Sequence, residues 1–164
     1  RADHRHEIRI PVPAGNDVPV EVVSDTARVE TFASYSADGR SVAFVEWFPD
    51  QAGNRNRNGE VVVVDLATKA RRNLTNSPEF DGYPFWASSG WIYFSTMFDG
   101  PSGREAILSR VRGKGGAVER IGTRDGKSEM RAIPSADDRI IWFNRAEGGR
   151  GMIFRLELGE PAAK

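Results

Sequence analysis

Tyr35-Ser36-Ala37-Asp38-Gly39-Arg40-Ser41-Val42-Ala43-Phe44-Val45 joins a polar corner to a β-branched and aromatic run, and the chain repeats this phrase twice more. The second copy, one residue shorter, is Trp86-Ala87-Ser88-Ser89-Gly90-Trp91-Ile92-Tyr93-Phe94-Ser95, and the third is Pro134-Ser135-Ala136-Asp137-Asp138-Arg139-Ile140-Ile141-Trp142-Phe143-Asn144. Phe44, Phe94 and Phe143 fall 50 and 49 residues apart, a period that marks equivalent supersecondary units. In each copy the corner suits a tight turn that needs positive φ, and the run after it suits a strand, so each copy predicts a hairpin.

Outward from each hairpin a second apolar run follows a Gly-rich loop: Glu60 to Leu66, Glu105 to Val111 and Met152 to Leu158. These read as third strands. Arg71 to Leu74 and Ala117 to Ile121 suggest fourth strands, each ending before a turn at Thr75 or Thr123. Helical periodicity is weak, and 17 glycines and nine prolines punctuate short segments, so the chain reads as all-β. Four antiparallel strands recurring every 40 to 50 residues or so are what a β-propeller requires, because each small sheet buries its faces against neighbouring blades. A β-sandwich is the competing architecture.

Three features resemble TolB-like propeller repeats, a WD-repeat-like family: Tyr35 through Val45, Leu74-Thr75-Asn76 closing a repeat, and Asp81-Gly82-Tyr83-Pro84-Phe85-Trp86 opening the next. The resemblance covers residues 28 to 158. Copy two departs by losing a corner residue, and copy three by placing Asp138 where the turn glycine is expected. The resemblance implies a fold and a binding platform rather than a reaction. It also implies a scaffold of the bacterial envelope, periplasmic or secreted, with a cytoplasmic setting left open.

The expected division is an N-terminal arm, 1–27, and three blades within 28–164, at about 28–75, 76–123 and 124–158. Three blades subtend too little of a circle. His6 to Val12 and Pro19 to Val23 look like the last strands of another, partial blade, while the final repeat stops after its third strand. Either the chain is a piece of a longer propeller, or copies associate and exchange strands to close the ring.

Composition removes several classes of function. With 23 basic and 23 acidic residues in 164, no basic excess supports a nucleic-acid partner. No apolar run is long enough for a spanning helix, so membrane insertion is not expected. The absence of cysteine removes disulfides, thiolate catalysis and Cys-ligated zinc. The only histidines, His4 and His6, lie in the arm, and no Gly-x-Ser-x-Gly elbow, His-x-x-x-His pair or Walker loop occurs. No catalytic residue, cofactor or metal is therefore assigned. Gly113-Lys114-Gly115-Gly116 reads as a turn between outer strands rather than a phosphate cradle.

Candidate binding residues come from the repeat register. Glu30, Asp81 and Glu129 each stand five residues before Tyr35, Trp86 and Pro134. They are expected on the loops entering each blade, either as a carboxylate ring that attracts a cation or basic peptide, or as acceptors for neighbouring backbone turns. On the same face, 50–59, 98–104 and 145–150 combine glycine with arginine. There Arg55, Arg57, Arg104, Arg145 and Arg150 could grip an acidic partner, or they are solvated loop tips; Asp99 of the second loop is a further binding candidate. Trp47 and Phe98 lie at loop edges and could form an aromatic contact for protein or sugar.

The expected function is a non-enzymatic module that presents a loop face to a protein or peptide, with self-association as a further partner mode. A propeller gating a peptidase or amidohydrolase is the alternative. A carbohydrate-binding or glycosidase-like propeller is a third, expected to show Trp47 or Phe98 in a cleft beside Glu30, Asp81 or Glu129.

Overall fold

The computed structural model describes residues 28–48, 58–101, 103–122 and 127–158; the N-terminal arm, with His4 and His6, lies outside them. Eleven strands and no helix appear among these residues: β1 (Glu30–Tyr35), β2 (Ser41–Phe48), β3 (Asn58–Asp65), β4 (Arg71–Asn73), β5 (Phe80–Trp86), β6 (Trp91–Gly100), β7 (Gly103–Arg112), β8 (Glu119–Arg120), β9 (Glu129–Pro134), β10 (Ile140–Glu147) and β11 (Arg150–Glu157). They form two four-stranded sheets, β1-β2-β3-β4 and β5-β6-β7-β8, and a three-stranded sheet, β9-β10-β11. Every pairing is antiparallel. These are the blades of a β-propeller, and the described sheets make an open arc rather than a closed ring.

The hairpin corners form where the phrase predicted them. Ser36 Oγ donates to Asp38, whose carboxylate also accepts the Arg40 N–H. Ser135 and Asp137 repeat the arrangement with the Arg139 N–H. The turn position with positive φ is Gly39 (66°), Gly90 (84°) and Asp138 (57°). The third corner keeps its shape because aspartate tolerates the left-handed region better than most side chains.

Central strands are sandwiched between neighbouring sheets, so they carry continuous runs of β-branched and aromatic residues. Val61, Val62, Val63 and Val64 are all buried: Val61 and Val63 face the second sheet, whereas Val62 and Val64 pack with Val42 and Phe44 on the other face of the first. Ala43, Val61, Val63 and Leu74 of the first sheet pack on Ile92, Phe94 and Val111 of the second. Tyr93 and Leu108 on its other side meet Ala132, Ile141 and Phe143 of the third. Burying each large apolar side chain contributes roughly 1.5–3 kcal/mol, so these two joints, with a third cluster of Val42, Phe44, Val62 and Val64 in the first sheet, hold the arc together.

Candidate functional site

The aligned acids stand on one rung of the three ladders. Read across the first three strands of each sheet, that rung is Glu30, Glu46, Glu60, then Asp81, Thr96, Ile107, then Glu129, Arg145, Met152. The acids therefore lie in the innermost strands and not in the connecting loops. Glu46, Glu60, Asp81 and Glu129 are buried, so no solvent-facing carboxylate ring forms. Among the described residues no group of three metal-ligating side chains converges.

Each sheet satisfies its rung differently. In the first, Arg71 bridges Glu30 and Glu46, and Arg28 pairs with Glu46. In the third, the Arg145 guanidinium lies 3.7 Å from Glu129. Between the first two sheets Glu60 and Asp81 are held by hydroxyl and amide donors. Glu60 accepts from Thr75 Oγ, the Ser77 N–H at 3.0 Å and Asn58 Nδ2 at 2.8 Å. Asp81 accepts from Ser77 Oγ at 2.9 Å and Thr96 Oγ at 2.6 Å. Burial pushes Glu60 up to about 7, with the neighbouring Asp81 charge adding to it. Burial likewise pushes Asp81 up to about 6. The hydroxyl donors oppose both shifts without cancelling them.

Two positions beyond each acid the strand bulges toward the inner edge of the arc. Phe32, Tyr83 and Arg131 sit there with φ of 58°, 57° and 59°. The ladder register slips beside each of them. Left-handed backbone at bulky residues costs roughly 1–3 kcal/mol apiece and persists only where surrounding structure holds it. Part of the hold is visible: the Arg131 N–H, freed from the ladder, donates to Ser95 Oγ at 3.1 Å, and the Trp86 N–H donates to Ser34 Oγ at 2.9 Å.

The bulges place three side chains in one stack. The Phe32 and Tyr83 rings are 4.6 Å apart, and the Arg131 guanidinium lies 4.9 Å from the Tyr83 ring centre. Arg131 has no carboxylate partner among the described residues. Beside the stack opens a cavity of about 390 Å³ lined also by Ala33, Pro84, Phe85, Ala132 and Ile133. Phe32, Phe85 and Ile133 are exposed. An open apolar trough with one unneutralised guanidinium suits an extended chain that brings apolar groups and a carboxylate.

The arginine-bearing segments do not converge. Arg55 and Arg57 lie outside the described residues. The loop expected at 98–104 is a strand extension: Phe98, Asp99 and Gly100 pair with Glu105, Arg104 and Gly103. Arg104 lies over the Phe80 ring at 5.7 Å. Arg145 is spent on Glu129 and Glu147, while Arg150 is exposed at the start of β11. Trp47 packs on Phe80 with ring centres 4.8 Å apart and donates to Thr31 Oγ1, and Phe98 is half-buried in β6. Phe32, Tyr83 and Arg131 escaped the sequence reading, although the same alignment that registers the acids registers them two places later.

No family model and no curated protein matches the sequence. Solved structures do. A TolB structure from Agrobacterium tumefaciens superposes with a TM-score of 0.62 at 18% identity, over 80% of this chain and 46% of that one. TolB from Acinetobacter baumannii gives 0.59 at 21% identity, over 77% and 29%. A prolyl endopeptidase gives 0.56 at 17% identity, over 84% and 21%. The chain thus spans less than half the length of each of these structures.

Proposed function

We propose that this chain, with the fold of TolB-like propellers as premise, is a non-catalytic binding module whose inner edge receives an extended segment of a protein partner. The stack of Phe32, Tyr83 and Arg131 carries this reading. Three side chains of binding character occupy equivalent strained positions on one open trough, and strain of this kind clusters at ligand sites. Apolar contacts would come from Phe32, Tyr83 and Phe85, and a carboxylate would meet Arg131. The periplasm or the outside of the cell is the setting this reading favours.

Selection of a displayed random peptide library against the chain, followed by binding to the Tyr83→Ala and Arg131→Ala variants, tests it. The expected outcome is enriched peptides with an acidic group near an apolar one. Each variant should bind them about ten-fold more weakly at unchanged melting temperature. Enriched peptides indifferent to both variants would refute the inner-edge site.

Ring completion belongs to the same proposal. Trp142 and Ile153 of the third sheet are 47% and 74% exposed, whereas their second-sheet counterparts Tyr93 and Leu108 are fully buried. A second copy or further chain would cover them, and light scattering across a dilution series separates the two. The likeness to part of a prolyl endopeptidase over most of the chain favours one other reading, a propeller attached to a peptidase. A reading frame that continues into a hydrolase domain would select it.

A further inference from the structure

We infer that the cleft between the first two sheets, on the face of the arc that carries the hairpin turns, is a site for a phosphoryl-type oxyanion. The cleft lies at the opposite end of the strands from the acid rung and does not depend on the inner-edge proposal. Three turns wall it, Ser36 to Asp38, Ala87 to Gly90 and Arg112 to Gly115, and its volume is about 660 Å³; the last is the outer-strand turn expected from sequence, and its role in the cleft comes from the Lys114 side chain and not from a glycine cradle.

Charge is the first ground. Arg72 and Lys114 line the cleft, and neither has a carboxylate partner among the described residues; Arg112 borders it too, but its guanidinium lies over the Trp91 ring at 3.8 Å and donates to the Ser89 carbonyl. Elsewhere on the arc the cations near acids are used: Arg71 on Glu30 and Glu46, Arg110 on Glu119, Arg120 on Glu79 and Arg155 on Glu157. The one acid in the lining, Asp38, is occupied by its own turn through Ser36 Oγ and the Arg40 N–H. Those bonds hold its carboxyl below the usual carboxylate range. Asp38 therefore keeps its charge and offsets one cation, and the positive excess that Arg72 and Lys114 leave around one concavity raises the local concentration of anions.

Geometry is the second ground. Arg72 Nη2 donates to the Gly113 carbonyl at 2.7 Å, which anchors the guanidinium beside the turn that carries Lys114. One fork and one ammonium then flank the same opening, a pairing suited to an oxyanion with several acceptor oxygens. The Trp86 indole lies against Gly113, so closely that a Cβ there would stand 2.4 Å from the ring. The indole N–H has no protein acceptor among the described residues. The cleft is larger than a bare inorganic ion needs, so it has room for a phosphate ester on a sugar-sized body, with the serine-rich turns as polar walls.

Calorimetric titration of the 164-residue chain with inorganic phosphate, glucose 6-phosphate and glucose, at ionic strength matched with chloride, tests the site. Saturable binding of both phosphates and none of glucose is expected. Tighter binding of the sugar phosphate would identify an ester as the ligand, and equal binding would identify the phosphoryl group alone. Lys114→Ala, a change on an exposed turn, should weaken either ligand by roughly 3- to 5-fold. Arg72→Gln should act in the same direction, and Arg150→Ala at the other end of the strands should change nothing. Absence of saturable phosphate binding by the parent chain, or binding that survives both Lys114→Ala and Arg72→Gln undiminished, would overturn the assignment.

Discussion

The two joints of the arc bury the same rung and treat it in opposite ways. Between the first and second sheets, Glu60 and Asp81 share a pocket without a cation among their bonded partners, and the linker supplies Thr75 and Ser77 as donors. Between the second and third, Glu129 faces Arg145, and the linker carries Gly122 beside it. A Cβ at Gly122 would stand 1.9 Å from Glu129 Oε2, so the carboxylate fills space that a side chain would need. Both linkers are otherwise anchored alike, through Leu74 N to Val61 O and Ile121 N to Leu108 O. One fold position therefore accepts a buried acid either as part of an ion pair or as a group whose charge is costly, and in the second arrangement both carboxyls are pushed toward neutral pH.

Breaking the ion-paired joint should have the largest effect. Arg145→Met keeps bulk but removes the guanidinium that faces the buried Glu129, an expected loss of about 3–5 kcal/mol. Urea denaturation measures it, and Arg145→Met combined with Glu129→Leu should recover part of the loss because the buried carboxylate goes with its guanidinium. A loss below about 1 kcal/mol in the single variant would mean that the two joints do not differ in charge economy.

The other joint should respond to pH. Glu60 and Asp81 are raised to about 7 and about 6 from ordinary values of 4.5 and 3.8. Between the ordinary and raised values the folded chain holds protons that the unfolded chain has released. This stabilisation is complete below the ordinary values and is lost as pH rises through the raised ones. Glu60→Gln removes one of the two titrating groups. Compared with the parent across a pH series, it should gain on the order of 3 kcal/mol in relative stability from about pH 4 to about pH 8. A relative stability flat in pH would place the neutralising partner elsewhere.

The repeated phrase made the sheets legible because strand, turn and period recur together at Phe44, Phe94 and Phe143. It also put Glu30, Asp81 and Glu129 on one rung. Their burial was not legible, since what satisfies them arrives from distant strands: Arg71 reaches Glu30 across 41 residues. The segment 98–104 looked like a loop because Gly100-Pro101-Ser102-Gly103 is turn chemistry, yet β6 and β7 pair right up to Gly100 and Gly103. The left-handed bulges were hidden for a plainer reason: nothing in the identity of Phe32, Tyr83 or Arg131 favours positive φ, and the ladder slip that imposes it is a property of the sheet.

At the turn face the joints differ again, and here the expected effect is smallest. The second and third sheets are stapled by Ser89 Oγ donating to Asp138, with Ser88 Oγ reaching the Ala136 carbonyl at a longer 3.4 Å. The first and second sheets leave the corresponding space as the cationic cleft. Ser89→Ala removes a hydroxyl donor to an ionised acceptor at an exposed site, which should cost about 0.5–1 kcal/mol and lower the melting temperature by roughly 2–4 °C. Ser88→Ala should cost less, because hydrogen bonds weaken at that length. Equal effects from the two serines would mean that backbone contact between the turns, and not the Ser89–Asp138 bond, closes this joint while its counterpart stays open.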